Sequence, residues 1–227
     1  MVFKRNLRRL ICIGCELIVF GMSVSAFAAT GNRDLSLRIN QNFNGTWNKT
    51  LSVHAWMFEH MNRSMAHFEY YETGIGPRIQ FPLPWLAISF FYRQAFSKSD
   101  DARWQLEKAP SANIEFRVKA RRAVFWNQVR VEYRFRDDWQ NVRVKNFLQL
   151  SISGPAATPY AAWESFYENR TGSFALQRFF AGISAPLDAH LSTALYVRLD
   201  VNTEHSVELY RICVGAKLIF NFALHPE

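Results

Sequence analysis

The sequence predicts an all-β protein: a transmembrane, up-and-down antiparallel β-barrel of ten to twelve strands, preceded by a cleaved signal peptide. Three observations lead to this prediction. About eleven runs alternate apolar and polar residues with a period of two, which is the period of a β-strand. The first 28 residues have the pattern of an export signal. The chain contains 20 Phe, 8 Tyr and 7 Trp, yet it has no apolar run of about 18 residues that could form a transmembrane helix.

The N-terminal segment has the parts of a secretory signal peptide. Four basic residues precede a mostly apolar stretch, and Ala26–Phe27–Ala28 supplies small residues before the cleavage point. We therefore assign 1–28 to the signal peptide and 29–227 to a single outer-membrane β-barrel domain. A membrane anchor, disfavoured by Glu16, and acylation at Cys15 are the alternatives. Cleavage removes four basic residues and one acid, which lowers the formal charge from +8 to +5 and leaves Cys213 without a disulfide partner.

The strands of the first half are separated by turn signals. Asn44–Gly45 is a hairpin signal between the first two runs. Pro82 and Pro84 cannot donate to a strand ladder, so they mark a tight connection. The charged stretch 97–101 is the next loop. The strands predicted here are Arg33–Phe43, Thr50–Phe58, Phe68–Gln80, Trp85–Phe96 and Trp104–Lys119.

The clearest element is a hairpin over Val124–Ile152. In its first strand Val129, Val131, Tyr133 and Phe135 alternate with polar and charged residues, and the same pattern follows the polar turn at 137–141. Each strand therefore has one apolar face and one charged face. After this hairpin ends at 153–155, three more Pro-, Gly- or Asp-containing connections separate the remaining strands. These strands are Thr158–Tyr167, Phe174–Ala185, Leu191–Leu199 and Arg211–Phe222.

The connections alternate in character along the chain. One set is short and rich in Pro and Gly (near 45, 82, 121, 155 and 187), and the other is longer and polar (near 63, 99, 138, 171 and 203). Short turns at one end and longer loops at the other are typical of outer-membrane barrels, whose bacterial single-chain members have even strand numbers. We therefore expect ten or twelve strands, with twelve favoured. Since about eleven runs are seen, one strand would have to be miscounted, and the N-terminal run and Trp104–Lys119 are the two places where that is expected.

A soluble periplasmic β-barrel or sandwich would show the same alternation. Three features favour the membrane. Many runs reach about nine residues, the length that crosses a bilayer at a tilt. Aromatic residues gather near strand ends, as in interfacial girdles. The final strand ends on the apolar Phe222, which resembles an outer-membrane assembly signal.

The charged faces of the strands predict what fills the barrel. An arginine facing lipid near the bilayer centre costs roughly 2–4 kcal/mol, so these residues are expected to face the lumen. We call this set the charge ladder. Its members are Glu107, Glu115, Arg117, Arg130, Glu132, Arg134, Arg143, Lys145, Glu164, Arg178, Arg198 and Arg211.

The stretches E-K-A-P, R-V-E-Y-R-F-R, P-Y-A-A-W-E-S-F-Y and A-K-L-I-F-N-F give the chain a family resemblance. It resembles the bacterial outer-membrane barrels catalogued as domain of unknown function 2490, over essentially the whole mature chain. The resemblance implies an outer-membrane barrel and no established activity. Lys145 stands where Arg is expected. The residues that match are Glu107, Pro110, Arg130, Glu132, Arg134, Arg143, Pro159, Tyr160 and Glu164.

Three functions fit this pattern. The charge ladder is either a structural network that fills the lumen or the lining of a narrow, anion-leaning pore. A lipid-modifying enzyme needs a Ser activated by a His, and Ser52 and His54 share one strand face. Loop cations could bind lipid phosphates, which would make the chain a surface or assembly protein. Those loop cations are Arg63, Lys98, Arg103, Arg136 and Arg170.

No cofactor is predicted. Glu59, His60 and His67 are the only suggestion of a metal site, and their spacing matches no standard pattern. His60, His67 and His205 are expected in or near loops. The expected surroundings are outer-membrane lipids and lipopolysaccharide in a Gram-negative bacterium, with the barrel-assembly machinery as a partner during insertion. We expect a monomer that does not bind nucleic acid, because its basic residues follow strand alternation.

Overall fold

The computed structural model describes residues 35–62, 67–98, 103–137, 139–202 and 209–224. The predicted signal peptide, 1–28, lies outside these ranges, as do Arg63, His205 and the middles of several predicted loops. Within the described ranges there are eleven strands and no helix. The strands are β1 (Leu35–Thr46), β2 (Leu51–Asn62), β3 (His67–Gln80), β4 (Leu86–Lys98), β5 (Trp104–Ala120), β6 (Ala123–Phe135), β7 (Gln140–Ile152), β8 (Thr158–Glu168), β9 (Ser173–Pro186), β10 (Leu191–Asn202) and β11 (Leu209–Ala223).

The strands form one closed barrel in chain order. Consecutive strands pair antiparallel, whereas β1 and β11 close the barrel as a parallel pair, from Leu35 opposite Ile212 to Thr46 opposite Ala223. The all-β barrel prediction is confirmed, and the even strand number of ten or twelve is wrong. In an up-and-down barrel with an odd number of strands, the first and last run in the same direction, so their pairing must be parallel. The run suspected of hiding two strands is the single 17-residue strand β5.

Short turns fix one end of the barrel, which we call the short-turn end. Asn48 Oδ1 accepts hydrogen bonds from the backbone N–H groups of Thr50 (2.8 Å) and Leu51 (2.7 Å). Asp188 holds the β9–β10 turn in the same way, through the N–H groups of His190 and Leu191. These bonds to the ionised form lower the pKa of the Asp188 carboxyl below its ordinary value. The opposite end, where the polar connections lie, is the long-loop end.

The two faces of the barrel wall differ in polarity, and the polar face points inward. The outward-facing side chains Ile75, Val131 and Leu150 are 56%, 47% and 51% exposed. Many of the most buried side chains of the interior are polar or charged, among them Ser89, Arg93 and Asn113. This arrangement is the reverse of a soluble β-barrel, whose apolar side chains fill the inside.

Within the described ranges, no helix is long and apolar enough to cross a membrane.

Candidate functional site

Arg93 lies at the centre of the charged interior. It is 4% exposed and projects from β4 towards carboxylates on three other strands. Its Nη1 is 2.9 Å from Glu72 Oε2, its Nη2 forms a close ion pair with Glu107, and the same Nη2 is 3.9 Å from Glu132 Oε2. One guanidinium therefore links β3, β4, β5 and β6, because its planar fork can serve several carboxylates at once.

Three arginines and three glutamates form a closed cycle of alternating charge, which we call the Arg/Glu ring. Arg93 pairs with Glu107, and Glu107 is 2.7 Å from Arg134. Arg134 is in turn 2.9 Å from Glu168. Arg143 completes the cycle, 3.5 Å from Glu168 and 2.8 Å from Glu132. Every charge in the ring has an opposite charge on each side. Members of the ring are Arg93, Glu107, Arg134, Glu168, Arg143 and Glu132.

Strand register explains why these particular residues meet. Glu132 on β6 is directly opposite Arg143 on β7, and Arg143 is directly opposite Glu168 on β8. Since residues two apart share a face, Arg134 joins the same cluster from β6. Trp139 covers the ring at the long-loop end. The guanidinium carbons of Arg134, Arg136 and Arg170 lie 5.1, 5.1 and 5.9 Å from the centre of its ring system.

A second chain of charges continues around the wall, and we call it the β7–β10 chain. Lys145 Nζ is 2.5 Å from Glu164, and Arg178 is 3.1 Å from the other oxygen of Glu164. Arg178 also approaches Asp200 at 3.5 Å, and Arg198 Nη2 donates to Asp200 Oδ2 at 2.8 Å. Both contacts of Arg178 follow from direct cross-strand pairing with Glu164 and Asp200.

The buried ring of Phe166 joins the two groups of charges. Three cations lie near this ring: Arg178 at 4.6 Å, Arg143 at 5.3 Å and Lys145 at 5.6 Å from its centre. Cations are attracted to aromatic faces by the ring quadrupole. The Arg/Glu ring and the β7–β10 chain therefore form one continuous network from β3 to β10.

Aromatic side chains and Arg130 occupy the middle of the barrel. Trp56 on β2 packs edge-on against Phe91 on β4 at 4.9 Å, and its indole N–H donates to Glu72 at 2.8 Å. Arg130 reaches them from β6, with its guanidinium carbon 5.6 Å from Trp56 and 5.7 Å from Phe91. Gly74 makes room for this packing, because a Cβ there would lie 2.1 Å from the indole. Side chains from β2, β4 and β6 thus meet across the interior.

The interior near the short-turn end contains a further set of polar side chains. Ser52 Oγ lies 3.1 Å from His54 Nε2 on the same face of β2. Arg78 Nε pairs with Glu115 at 3.2 Å, and Ser89 donates to the other oxygen of that glutamate. No carboxylate hydrogen-bonded to His54 is found in the part of the chain that the structure describes.

The structure brings most of the charge ladder together. Nine of its members lie in the continuous network, either in the Arg/Glu ring, in the β7–β10 chain or beside them. Glu115 forms its ion pair with Arg78 and is connected to Arg130 through the neutral side chains of Ser89 and Asn113. Arg117 is exposed near the short-turn end, and Arg211 lies directly opposite Asp200 in the β10–β11 register. The nine are Glu107, Arg130, Glu132, Arg134, Arg143, Lys145, Glu164, Arg178 and Arg198.

Several central residues of the network are not members of the charge ladder. Arg93 stands alone among aromatic residues in Trp85–Phe96, so its strand has no visible charged face in the sequence. Glu168 falls in a predicted loop, but it ends β8 and enters the ring. Glu72 lies within the predicted strand Phe68–Gln80, and Asp200 directly follows the predicted strand Leu191–Leu199. For Glu168 and Asp200, extending the period-two pattern by two residues, from Phe166 and from Arg198, would place the side chain inside.

The histidines differ from their predicted positions in one respect. His60, expected in a loop, lies inside the barrel in β2. Glu59 points outward from the same strand, so Glu59 and His60 cannot bind one metal ion together. Among the described residues there is no cluster of three or more His, Cys, Asp or Glu side chains that could hold a metal ion.

No family model matches this chain, and no curated protein matches it significantly.

Proposed function

We propose that this chain is an outer-membrane β-barrel of a Gram-negative bacterium, and that its charged interior is structural. Export would use the signal peptide 1–28, and the barrel-assembly machinery would insert the mature chain as a monomer among outer-membrane lipids and lipopolysaccharide. Membership of the family catalogued as domain of unknown function 2490 is part of the same proposal. The single observation that carries the structural role is the closed, alternating Arg/Glu ring.

The polarity of the wall supports membrane insertion. Large apolar side chains such as Phe90 and Phe125 are exposed on the outside, where water would make their exposure unfavourable. The shortest strand has 11 residues and the longest 17. A tilted strand needs about 9–11 residues to cross a bilayer, so every strand is long enough.

The pairing of the interior charges supports a structural role over conduction. Glu132 and Glu164 are each close to more than one cation, and both are almost completely buried. A permeating ion would have to compete with these charge-assisted contacts, which are stronger than neutral hydrogen bonds. At mid-barrel, Trp56 and Arg130 approach each other from opposite parts of the wall.

Conductance in planar lipid bilayers tests this proposal. We expect no conductance steps from the wild-type protein. The double variant Trp56→Ala/Arg130→Ala removes the mid-barrel contact and is expected to show steps. Val131→Ala, an adjacent change on the outer face, is the matched control and should stay silent. Anion-selective steps in the wild type would support the narrow-pore alternative and contradict a closed interior.

A second candidate function is lipid modification, favoured by the 3.1 Å contact between Ser52 Oγ and His54 Nε2. A histidine nitrogen in this position can take the serine proton during nucleophilic attack on an ester. The test is hydrolysis of phospholipid in mixed micelles by wild type and by Ser52→Ala. The control is Ser184→Ala, because Ser184 donates to a backbone carbonyl and has no histidine partner among the described residues. Hydrolysis that Ser52→Ala abolishes and Ser184→Ala retains would establish this candidate.

A further inference from the structure

The outer surface of the barrel has a groove across β1–β4. Its volume is about 400 Å³. Ala55 and Thr73 form a low floor, because their outward side chains are small. Phe43, Ile75 and Tyr92 rise around that floor. The volume falls within the range of ordinary ligand sites, about 300–1,000 Å³.

Polar groups lie at one side of this groove. Gln94 on β4 is among the groove residues, and its directly paired neighbour on β5 is Lys108. Both side chains point outward, since Arg93, Ala95, Glu107 and Ala109 beside them are buried inside. In the part of the chain that the structure describes, Lys108 has no ion pair or side-chain hydrogen bond.

Two other outward polar pairs are bonded within the wall. Asn127 donates to Asn146 at 2.7 Å, and Trp163 donates to Gln177 at 2.8 Å. A lysine on a lipid-facing surface is destabilising unless its charge reaches a polar group. Glu59, an outward carboxylate, is on β2, three strands away from Lys108. Among the described residues Lys108 has no counter-ion, so an anionic group from outside the chain would stabilise its charge.

We propose that this groove holds one acyl chain of a membrane lipid whose phosphate headgroup has a net negative charge, and that this phosphate contacts Lys108 and Gln94. The inference rests on the proposed membrane insertion, which brings lipid to this face. The apolar groove suits an alkyl chain. The lysine supplies the charge and the glutamine amide a second donor, the combination that phosphate oxygens accept.

Native mass spectrometry of the full mature barrel in detergent tests this site. The probes are dioleoyl phosphatidylglycerol and dioleoyl phosphatidylcholine, which share their acyl chains and differ in net charge. We expect one phosphatidylglycerol to stay bound to the wild type. Lys108→Gln should weaken that binding about tenfold, a change of about 1.4 kcal/mol, and leave phosphatidylcholine binding unchanged. Lys49→Gln, in a turn at the short-turn end, is the matched control and should bind like wild type.

A second variant tests the groove itself. Ala55→Phe fills the floor and should reduce binding of both lipids, with folding checked by circular dichroism. Millimolar inorganic phosphate should not displace the lipid, since it offers no acyl chain. Equal retention of phosphatidylglycerol by wild type and Lys108→Gln would overturn the proposal. So would displacement by inorganic phosphate, or a dimer mass in place of bound lipid.

The result can be separated from membrane insertion. Insertion is measured independently, by protease protection after reconstitution into vesicles of the same two lipids. A protein that inserts but binds neither lipid selectively contradicts only the lipid site. A protein that fails to insert contradicts the proposed function first.

Discussion

Arg93 shows how a single side chain can hold a barrel interior together. Its guanidinium contacts Glu72 and Glu107 and lies near Glu132. Glu107 and Glu132 have further arginines beside them, whereas Arg93 is the one cation paired with Glu72 among the described residues. Buried ion pairs are not strong net stabilisers by themselves, but removing one partner leaves charge uncompensated. The importance of Arg93 is therefore seen most clearly when it is deleted.

We expect Arg93→Ala to destabilise the folded barrel by about 3–5 kcal/mol, the usual cost of leaving a buried charge unpaired. The measurement is the free energy of unfolding in denaturant, in detergent micelles. Arg117→Ala is the control: Arg117 is exposed, and the change should stay within about 0.5 kcal/mol. Equal stability of Arg93→Ala and Arg117→Ala would contradict the role we assign to the Arg/Glu ring.

Residue by residue, the alternating pattern is most informative where a strand carries several charges. The sequence predicts that Arg130, Glu132 and Arg134 share one face, and they do. It does not reveal Arg93, because the face that Arg93 shares with Ser89, Phe91 and Ala95 carries only one charge. Contacts between strands distant in sequence, such as Arg130 with Trp56, depend on barrel closure, which local periodicity does not encode.

At the scale of elements, the parallel seam between β1 and β11 is the unusual feature. The other ten seams are antiparallel hairpin pairs, as expected from short connections between consecutive strands. An even strand number is a regularity of bacterial single-chain barrels and not a physical requirement. A closed barrel can have an odd number of strands, provided that the first and last strands pair in parallel.

The seam can be tested with the native cysteine. Ser36 is opposite Cys213 in the parallel register, and both side chains are buried. Paired strands lie about 4.7–4.9 Å apart, within the Cα separation that a disulfide bridges. We expect Ser36→Cys to form a disulfide with Cys213 on oxidation, seen as loss of both free thiols by alkylation and mass spectrometry.

The control for the seam is Asn40→Cys, because Asn40 is opposite Lys217 and meets no thiol. A disulfide in Asn40→Cys but not in Ser36→Cys would mean a different register. No disulfide in either variant would mean that β1 and β11 do not pair as described.

At the scale of the whole molecule, the polarity of inside and outside connects fold with proposed function. The interior is held by charge pairs and aromatic contacts, and the exterior exposes apolar side chains. The interior charges are paired with one another. The outer surface and the two ends are therefore the places where other molecules can bind. The groove beside Lys108 is one such place.

Lipid contact of the outer face is the central claim, and β6 offers its most direct test. One spin label is attached per variant, at each residue from Val129 to Phe135 in turn, in a Cys213→Ser background. Each labelled protein is reconstituted in vesicles. We predict that labels at Val129, Val131, Tyr133 and Phe135 collide strongly with oxygen dissolved in lipid and weakly with a water-soluble nickel complex. Labels at the intervening interior positions should be shielded from oxygen. Preferential collision of the outward labels with the nickel complex would place this face in water and contradict the account.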